Sequence, residues 1–332
     1  MPAETTRAVV VTEPGDAGVL RVRDVPVPSV GAGQLLVRVA ASGVNFIDVY
    51  RRQGVYPVPT PFVLGGECAG TVLAVGPGVD GFAVGDVVAT AAGANGTHAE
   101  VALLDAATTV PVPDGVDPEL AAAAILQGMT AHYLVHATYP VAEGETALVH
   151  AAAGGTGALV VQMCKAQGAR VIATVGSAAK VRVAREAGAD EVIRYDELPD
   201  TGAALTEAVR GFEPDGVHVA YDGVGRATFD ASLGSLRRRG MLVLFGGASG
   251  QVPPVDPQRL NAAGSLFLTR PTLVDYVATR DELLQRSGDV FAAIAEGALH
   301  VAVGGRYALD DAARAYGDLE GRATTGKLLF IP

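Results

Sequence analysis

The segment Ala151-Ala152-Ala153-Gly154-Gly155-Thr156-Gly157 stands directly after an apolar run, Thr146 to Ala151, and directly before the helical stretch ALVVQMCKAQG. Strand, glycine turn and helix in this order suit a pyrophosphate. Gly154 lets the backbone approach the anion, Gly157 lets helix and strand pack closely, and the helix N-terminus offers N–H groups that lack intrahelical partners. Against the pattern GxGxxG the first glycine is replaced by Ala152, so the order of elements carries the reading more than the pattern does. A glycine turn with no ligand is the alternative. The second apolar run, RVIATV (170 to 175), ends on Gly176 and Ser177, with Lys180 just beyond. A carboxylate there would hold a ribose 2′-hydroxyl; a hydroxyl and an ammonium suit a 2′-phosphate instead. Lys occurs three times in the chain against 22 Arg, so its presence here favours NADPH over NADH, a solvated first-turn side chain being the alternative.

Other candidate chemistries fare worse. Gly321 to Lys327 spells most of a P-loop, yet Leu328 occupies the place of the magnesium-binding hydroxyl and a terminal strand is expected to follow. Cys68 and Cys164 stand far apart without a CxxC or His-rich neighbourhood and read as small buried apolar residues. The six His residues show no ligand spacing, so no metal site is expected. Asn45 with Asp48 three residues later has the pattern of a helix cap with a carboxylate in the first turn. Glu67 reads either as a buried structural carboxylate or as a partner for an arginine.

The elements that must position these residues change texture along the chain. Up to about residue 124, short β-type runs alternate with Gly and Pro: 7 to 12, 34 to 41, 70 to 76, 86 to 92 and 97 to 104, as in a small barrel or sandwich. A helical pattern spans Pro118 to Thr138. Strands at 146 to 151, 170 to 175, 191 to 195, 216 to 221, 240 to 246 and 265 to 270 then alternate with helices, which predicts six parallel strands covered on both faces. After Pro271 come a helix around Arg280 to Glu296 and terminal strands in YAL and KLLFIP. The run Arg237 to Arg239 is read as cations at a helix C-terminus. With 332 residues, 49% hydrophobic and a net charge of -11, the chain is expected to be fully folded and a poor partner for nucleic acid. No apolar stretch is long enough for a membrane span and the start shows no signal-peptide pattern, so a soluble, cytoplasmic protein is expected.

Gly43 to Tyr50, Leu64-Gly65-Gly66-Glu67, Leu126 to Ala131, the AAAGGTG turn, Tyr221 to Gly225 and the closing Gly326-Lys327 resemble the zinc-free, zeta-crystallin-like quinone oxidoreductases of the medium-chain dehydrogenase/reductase superfamily. The resemblance implies an α/β fold: a Rossmann doubly wound parallel sheet (125 to 270) inserted in a GroES-like β-barrel catalytic domain (1 to 124 and 271 to 332). It implies a homodimer paired through the last Rossmann strand. Zinc-dependent relatives place Cys where Asn45 stands and His where Gly66 stands, so zinc is not expected here. For NADPH the resemblance implicates Phe46, Tyr50, Thr130, Tyr133, Gly154, Gly155, Thr156, Gly176, Ser177, Lys180 and Tyr195. It adds Gly223, Val224, Phe245, Gly246, Gly247, Phe267, Leu268, Thr269 and Arg322. The implied reaction is hydride transfer to a small quinone, with Asn45 and Tyr50 as neutral hydrogen-bond donors, Asp48 in an orienting role and Tyr56 capping the pocket. Two alternatives keep the same nucleotide half: reduction of activated C=C bonds in alkenals, enones or enoyl thioesters, and an NADPH-binding structural or sensor protein without turnover.

Overall fold

A computed structural model describes residues 4–91, 96–321 and 324–332. The chain divides into two compact units, Met1–Met129 with Tyr276–Pro332, and Thr130–Asp275. Each crossing lies a few residues beyond the change in texture at 124 and 270, and the first falls inside the helix Pro118–Tyr133.

Among the described residues of the second unit, six parallel strands lie in the spatial order Glu191–Arg194, Arg170–Val175, Thr146–Val149, Val217–Asp222, Leu236–Leu244, Phe267–Thr269. The order reverses at Thr146–Val149, the first of these six strands in chain order, which creates the crevice at the carboxyl ends where doubly wound sheets bind nucleotides. The central strands are mostly apolar because both faces are covered: all four residues of Thr146–Val149 are buried, and Leu148, Ile172, Ala220 and Leu242 share one core with Leu205 and Phe229 from the helices. Arg170–Val175 has the bounds its composition predicts.

The other unit is mainly antiparallel. The long strand Gln34–Val44 is its spine, pairing with Cys68–Val75, Val101–Asp105 and Lys327–Phe330. Lys327–Phe330 also pairs in parallel with Val303–Tyr307, so the two chain ends share one sheet. A second sheet joins Leu20–Pro26, Thr5–Val11 and Phe62–Val63. The helix Phe46–Arg52 follows the spine after a single residue, Asn45.

The differences from expectation have local causes. Arg237 to Arg239 follow the end of the helix Phe229–Ser235, but they also lie within the strand Leu236–Leu244, which starts ahead of the expected 240 and whose partner register jumps from Leu236 to Met241, so these residues form a bulge with Arg239 at φ 56°. Leu236 stays buried, which draws the strand start upstream of the charges. Leu20–Pro26 carries three charges and was not expected as a strand, but it needs only one face against the unit. The penultimate strand is Val303–Tyr307 rather than Tyr307 to Leu309, and the helical stretch from Pro118 ends in a π-turn, Leu134–Thr138. No helix among the described residues is long and apolar enough to cross a membrane.

Candidate active site

In the parallel-sheet unit the glycine turn has the form a phosphate requires. Gly154 caps the helix Gly155–Ala166, and its N–H donates to Ala151 O at 2.9 Å. A Cβ on residue 157 would lie 2.4 Å from Ala151 O, so only glycine lets this helix approach the strand end. Ala151 takes the left-handed conformation (φ 52°), at a cost of about 1 kcal/mol for a residue with a Cβ. The second turn is equally tight: a Cβ on Gly176 would meet the Tyr195 hydroxyl at 2.5 Å. Ser177 caps the helix Ala178–Glu186 without spending its hydroxyl on a cap bond, and Lys180 stands in that helix's first turn. After the strand Val217–Asp222, Gly223 packs under the Phe245 ring, while a Cβ on Gly246 would strike Gly223 O at 2.5 Å. Val224 and Gly247 belong to the same pair of turns. These three cradles fit a dinucleotide phosphate chain and its flanking ribose.

Beneath the turns runs a buried polar chain. Asp222, fully buried, accepts from Val224 N (2.8 Å), Gly225 N (2.9 Å), Thr228 Oγ1 (2.7 Å) and Ser232 Oγ (2.7 Å). Ser232 Oγ lies 2.9 Å from His150 Nε2, and His150 Nδ1 lies 2.9 Å from Thr174 Oγ1. Burial lowers the His150 pKa against the attraction of Asp222.

The barrel unit holds a second cluster around Asn45. Lys327 Nζ donates to Asn45 Oδ1 (2.7 Å) and to Glu67 Oε2 (2.5 Å), and all three residues are buried. Because an ammonium can only donate and a carboxylate accepts, the carboxamide orientation is fixed; Asn45 Nδ2 then donates to Glu67 Oε2 (2.9 Å) and Gly43 O (3.0 Å). Glu67 Oε1 accepts from Leu126 N at 2.7 Å. The alternative left open for Glu67 thus resolves to a buried carboxylate, with lysine rather than arginine as its partner. Asp48 Oδ2 accepts from Asn45 N at 3.2 Å, while its Oδ1, fully buried, has no partner. Burial raises the Asp48 carboxyl to about 6, opposed by Arg51, the Tyr316 hydroxyl bond, Lys327 and the Asn45 N–H. His98, 3.8 Å from Asp48, is pushed by burial down to about 3 and is neutral; it bridges Ser42 Oγ (2.7 Å) and Tyr316 OH (2.7 Å). Tyr50, half-buried on the same helix, meets Tyr56 edge to face with ring centroids 5.7 Å apart.

This geometry bears on two expected roles. Asn45 cannot be a hydrogen-bond donor to a ligand, since both its amide protons are committed within the cluster. Asp48 is sealed from any ligand and can act only through Asn45 and Tyr316. Tyr50, with Tyr56 against it, remains a candidate donor. Tyr133 is almost fully buried and Thr130 half-buried in the helix that carries them. Phe46 packs partly buried against the barrel core. Phe267, Leu268 and Thr269 form the last strand of the parallel sheet, with Phe267 55% exposed. Arg322 lies outside the described residues. Lys327 was missed by sequence reasoning, although its rarity and the Gly326-Lys327 pair gave a signal; the buried chain His150–Ser232–Asp222 gave none.

The donors near Asn45 do not fit zinc. Glu67 Oε2 already accepts two protons, a fixed ammonium supplies the positive charge, and burial raises the adjacent Cys68 thiol far above the ordinary thiol range. No group of three or more His, Cys, Asp or Glu among the described residues is placed to hold a metal.

A six-stranded nucleotide-binding sheet, flanked in the sequence by both halves of an antiparallel unit, defines a medium-chain dehydrogenase/reductase. The alcohol dehydrogenase GroES-like domain matches residues 31–114 and the zinc-binding dehydrogenase family matches residues 155–285. A quinone oxidoreductase from Salmonella typhimurium is 45% identical over 90% of this chain and 91% of its own. A 2-haloacrylate reductase from Burkholderia is 39% identical over 93% of this chain and 94% of its own. The structure of a mycobacterial protein complexed with NADPH superimposes with a TM-score of 0.95 at 51% identity, covering 98% of this chain and 100% of that one. The chain belongs to the zeta-crystallin-like quinone oxidoreductase family.

Proposed function

We propose that this chain reduces small quinones with NADPH. The observation that carries the cofactor reading is the end of the strand Arg170–Val175, where the sequence from Thr174 through Gly176 and Ser177 to Lys180 holds no Asp or Glu and Tyr195 closes over the glycine. Gly154, Gly155 and Thr156 would hold the pyrophosphate, and Gly223, Val224, Phe245, Gly246 and Gly247 the rest of the dinucleotide. Phe46, Thr130, Tyr133, the strand Phe267–Thr269 and Arg322 complete the proposed set. When bound, NADPH supplies a hydride from its nicotinamide. The protein's own part is to orient the acceptor, exclude water and stabilise the charge that gathers on the acceptor oxygen; we assign the last duty to the Tyr50 hydroxyl, with Tyr56 as its wall. Asn45 and Asp48 act by holding the start of the helix that presents Tyr50.

The likeness to a 2-haloacrylate reductase favours a second reading, reduction of an activated C=C bond, with the same nucleotide half and a different acceptor. Initial rates with NADPH against 1,4-benzoquinone, 9,10-phenanthrenequinone, a 2-alkenal and crotonyl thioester separate the two. Turnover confined to the alkenal or thioester would replace the first reading with the second. The outer strand Phe267–Thr269, short and with Phe267 exposed, supports a homodimer paired along that edge; Phe267→Lys would then yield a monomer in equilibrium sedimentation, and an unchanged molar mass would count against it.

A further inference from the structure

We infer that His150, Thr174, Ser232 and Asp222 form one positioning chain that sets the three nucleotide-binding turns relative to one another, so that a change at one turn is felt at the others. The inference rests on the NADPH reading above.

Each member stands at the carboxyl end of a central strand or on the helix behind it. His150 follows Thr146–Val149 and opens the pyrophosphate turn. Thr174 is the penultimate residue of Arg170–Val175, just before Gly176 and Ser177. Asp222 ends Val217–Asp222 and takes the N–H groups of Val224 and Gly225. Ser232, on the helix Phe229–Ser235, joins the last to the first. All four side chains are buried, so no solvent substitutes for a missing partner.

The direction of every proton follows from Asp222. Its carboxylate has donors on both oxygens, so Ser232 Oγ–H points to Oδ2. Ser232 must therefore accept from His150 Nε2–H, which leaves Nδ1 bare to accept from Thr174 Oγ1–H. One imidazole tautomer thus satisfies the whole chain, and hydrogen bonds aligned head to tail strengthen one another. Removing any member strands a buried polar atom and loosens turns it does not touch.

The test uses 2′,5′-ADP, which presents only the adenosine end of the cofactor, beside NADPH. Ser232 contacts Asp222, whose turn serves the other end. Calorimetric titration of Ser232→Ala is expected to show about tenfold weaker binding of 2′,5′-ADP as well as of NADPH, the size of one buried hydrogen bond lost. In the full-length protein, His150→Gln, which keeps a donor and an acceptor, is expected within about threefold of the parent, whereas His150→Leu loses about tenfold. Nitrogen NMR of the imidazoles is expected to show His150 protonated at Nε2. Unchanged 2′,5′-ADP affinity in Ser232→Ala, equal behaviour of the Gln and Leu variants, or a proton on Nδ1 would each overturn the chain. If His150→Leu does not fold, the Ser232→Ala titration decides. Failure of the parent protein itself to bind 2′,5′-ADP would instead refute the NADPH reading.

Discussion

Lys327 donates to Glu67 across 2.5 Å with both side chains wholly buried, and Asn45 completes the set by accepting from one and donating to the other. A buried pair of this kind adds little over a well-packed apolar substitute, but breaking it leaves an unpaired buried charge. Lys327→Met is expected to lower unfolding free energy by about 3–5 kcal/mol, and Glu67→Gln by a comparable amount. The double variant should recover part of the loss. Urea unfolding of the three variants checks this, and strictly additive losses would show that the two charges do not depend on each other.

Asp48 carries a pH signature. Its carboxyl rises in the fold from 3.8 to about 6, so between these values the folded state binds more protons than the unfolded one. The favourable contribution is fully present below about pH 4, is lost as pH rises through about 6, and above that leaves a buried carboxylate with one unpartnered oxygen. Asp48→Asn removes the titration. The stability of the variant relative to the parent should therefore climb between pH 4 and 6, by up to about 3 kcal/mol, and stay level above pH 7. A difference that is flat across this range in denaturant melts would refute the assignment.

Sequence and structure agree where one residue type dominates a run and part where single residues meet across long separations. Arg170–Val175 is buried from its second residue on, and apolar there except for Thr174, because both faces are covered, and its bounds are visible in composition. His150 reaches a threonine 24 residues away and a serine 82 residues away, contacts no local spacing can encode. Lys327 looks like the end of a nucleotide-triphosphate loop until the strand Lys327–Phe330 pairs with Gln34–Val44 and turns it onto Glu67. Asn45 and Asp48 were readable as a helix start, and the structure keeps that role; what spacing could not show is that the Asn45 amide is fully spent inside the protein.

The glycine at 157 is a sharp test of the phosphate turn. A Cβ there would lie 2.4 Å from Ala151 O and 2.9 Å from its carbonyl carbon, backbone atoms that cannot rotate away. Gly157→Ala should weaken NADPH binding by at least about tenfold and cost about 1–3 kcal/mol of stability through overpacking. Gly211→Ala, on the helix Ala203–Phe212 with open space around the added carbon, should instead stabilise by about 0.5–1 kcal/mol. Thermal melts with and without NADPH compare the two. Equal effects at both positions would remove the special status of the turn.

In the proposed site, cofactor choice turns on Lys180. Its ammonium, in the first turn of Ala178–Glu186 beside Ser177, is assigned to the 2′-phosphate, a group NADH lacks. Lys180→Ala should raise the Kd for NADPH about tenfold and leave that for NADH unchanged, with the gap narrowing as salt screens the charge. Direct titration of both cofactors at two ionic strengths is sufficient; an equal loss for NADH would move the lysine away from the phosphate.

The proposed chemical step rests on Tyr50. Asn45 is committed to Lys327, Glu67 and Gly43, and Asp48 is sealed; the phenol of Tyr50 is the neutral side-chain donor that the helix Phe46–Arg52 carries, and the proposal assigns to it the oxygen that gains charge. Such a donor matters more in the transition state than in the ground state, so its loss should appear in kcat rather than in cofactor affinity. Tyr50→Phe keeps the ring that meets Tyr56 edge to face and removes only the hydroxyl. We expect kcat with 1,4-benzoquinone to fall by about ten- to a hundredfold while the Kd for NADPH stays within twofold. Tyr56→Phe, by contrast, should change the quinone KM by no more than a few-fold, because its proposed part is a wall. A Tyr50→Phe enzyme with unaltered kcat would transfer the oxyanion role away from this helix altogether, since no other residue of Phe46–Arg52 carries a neutral side-chain donor.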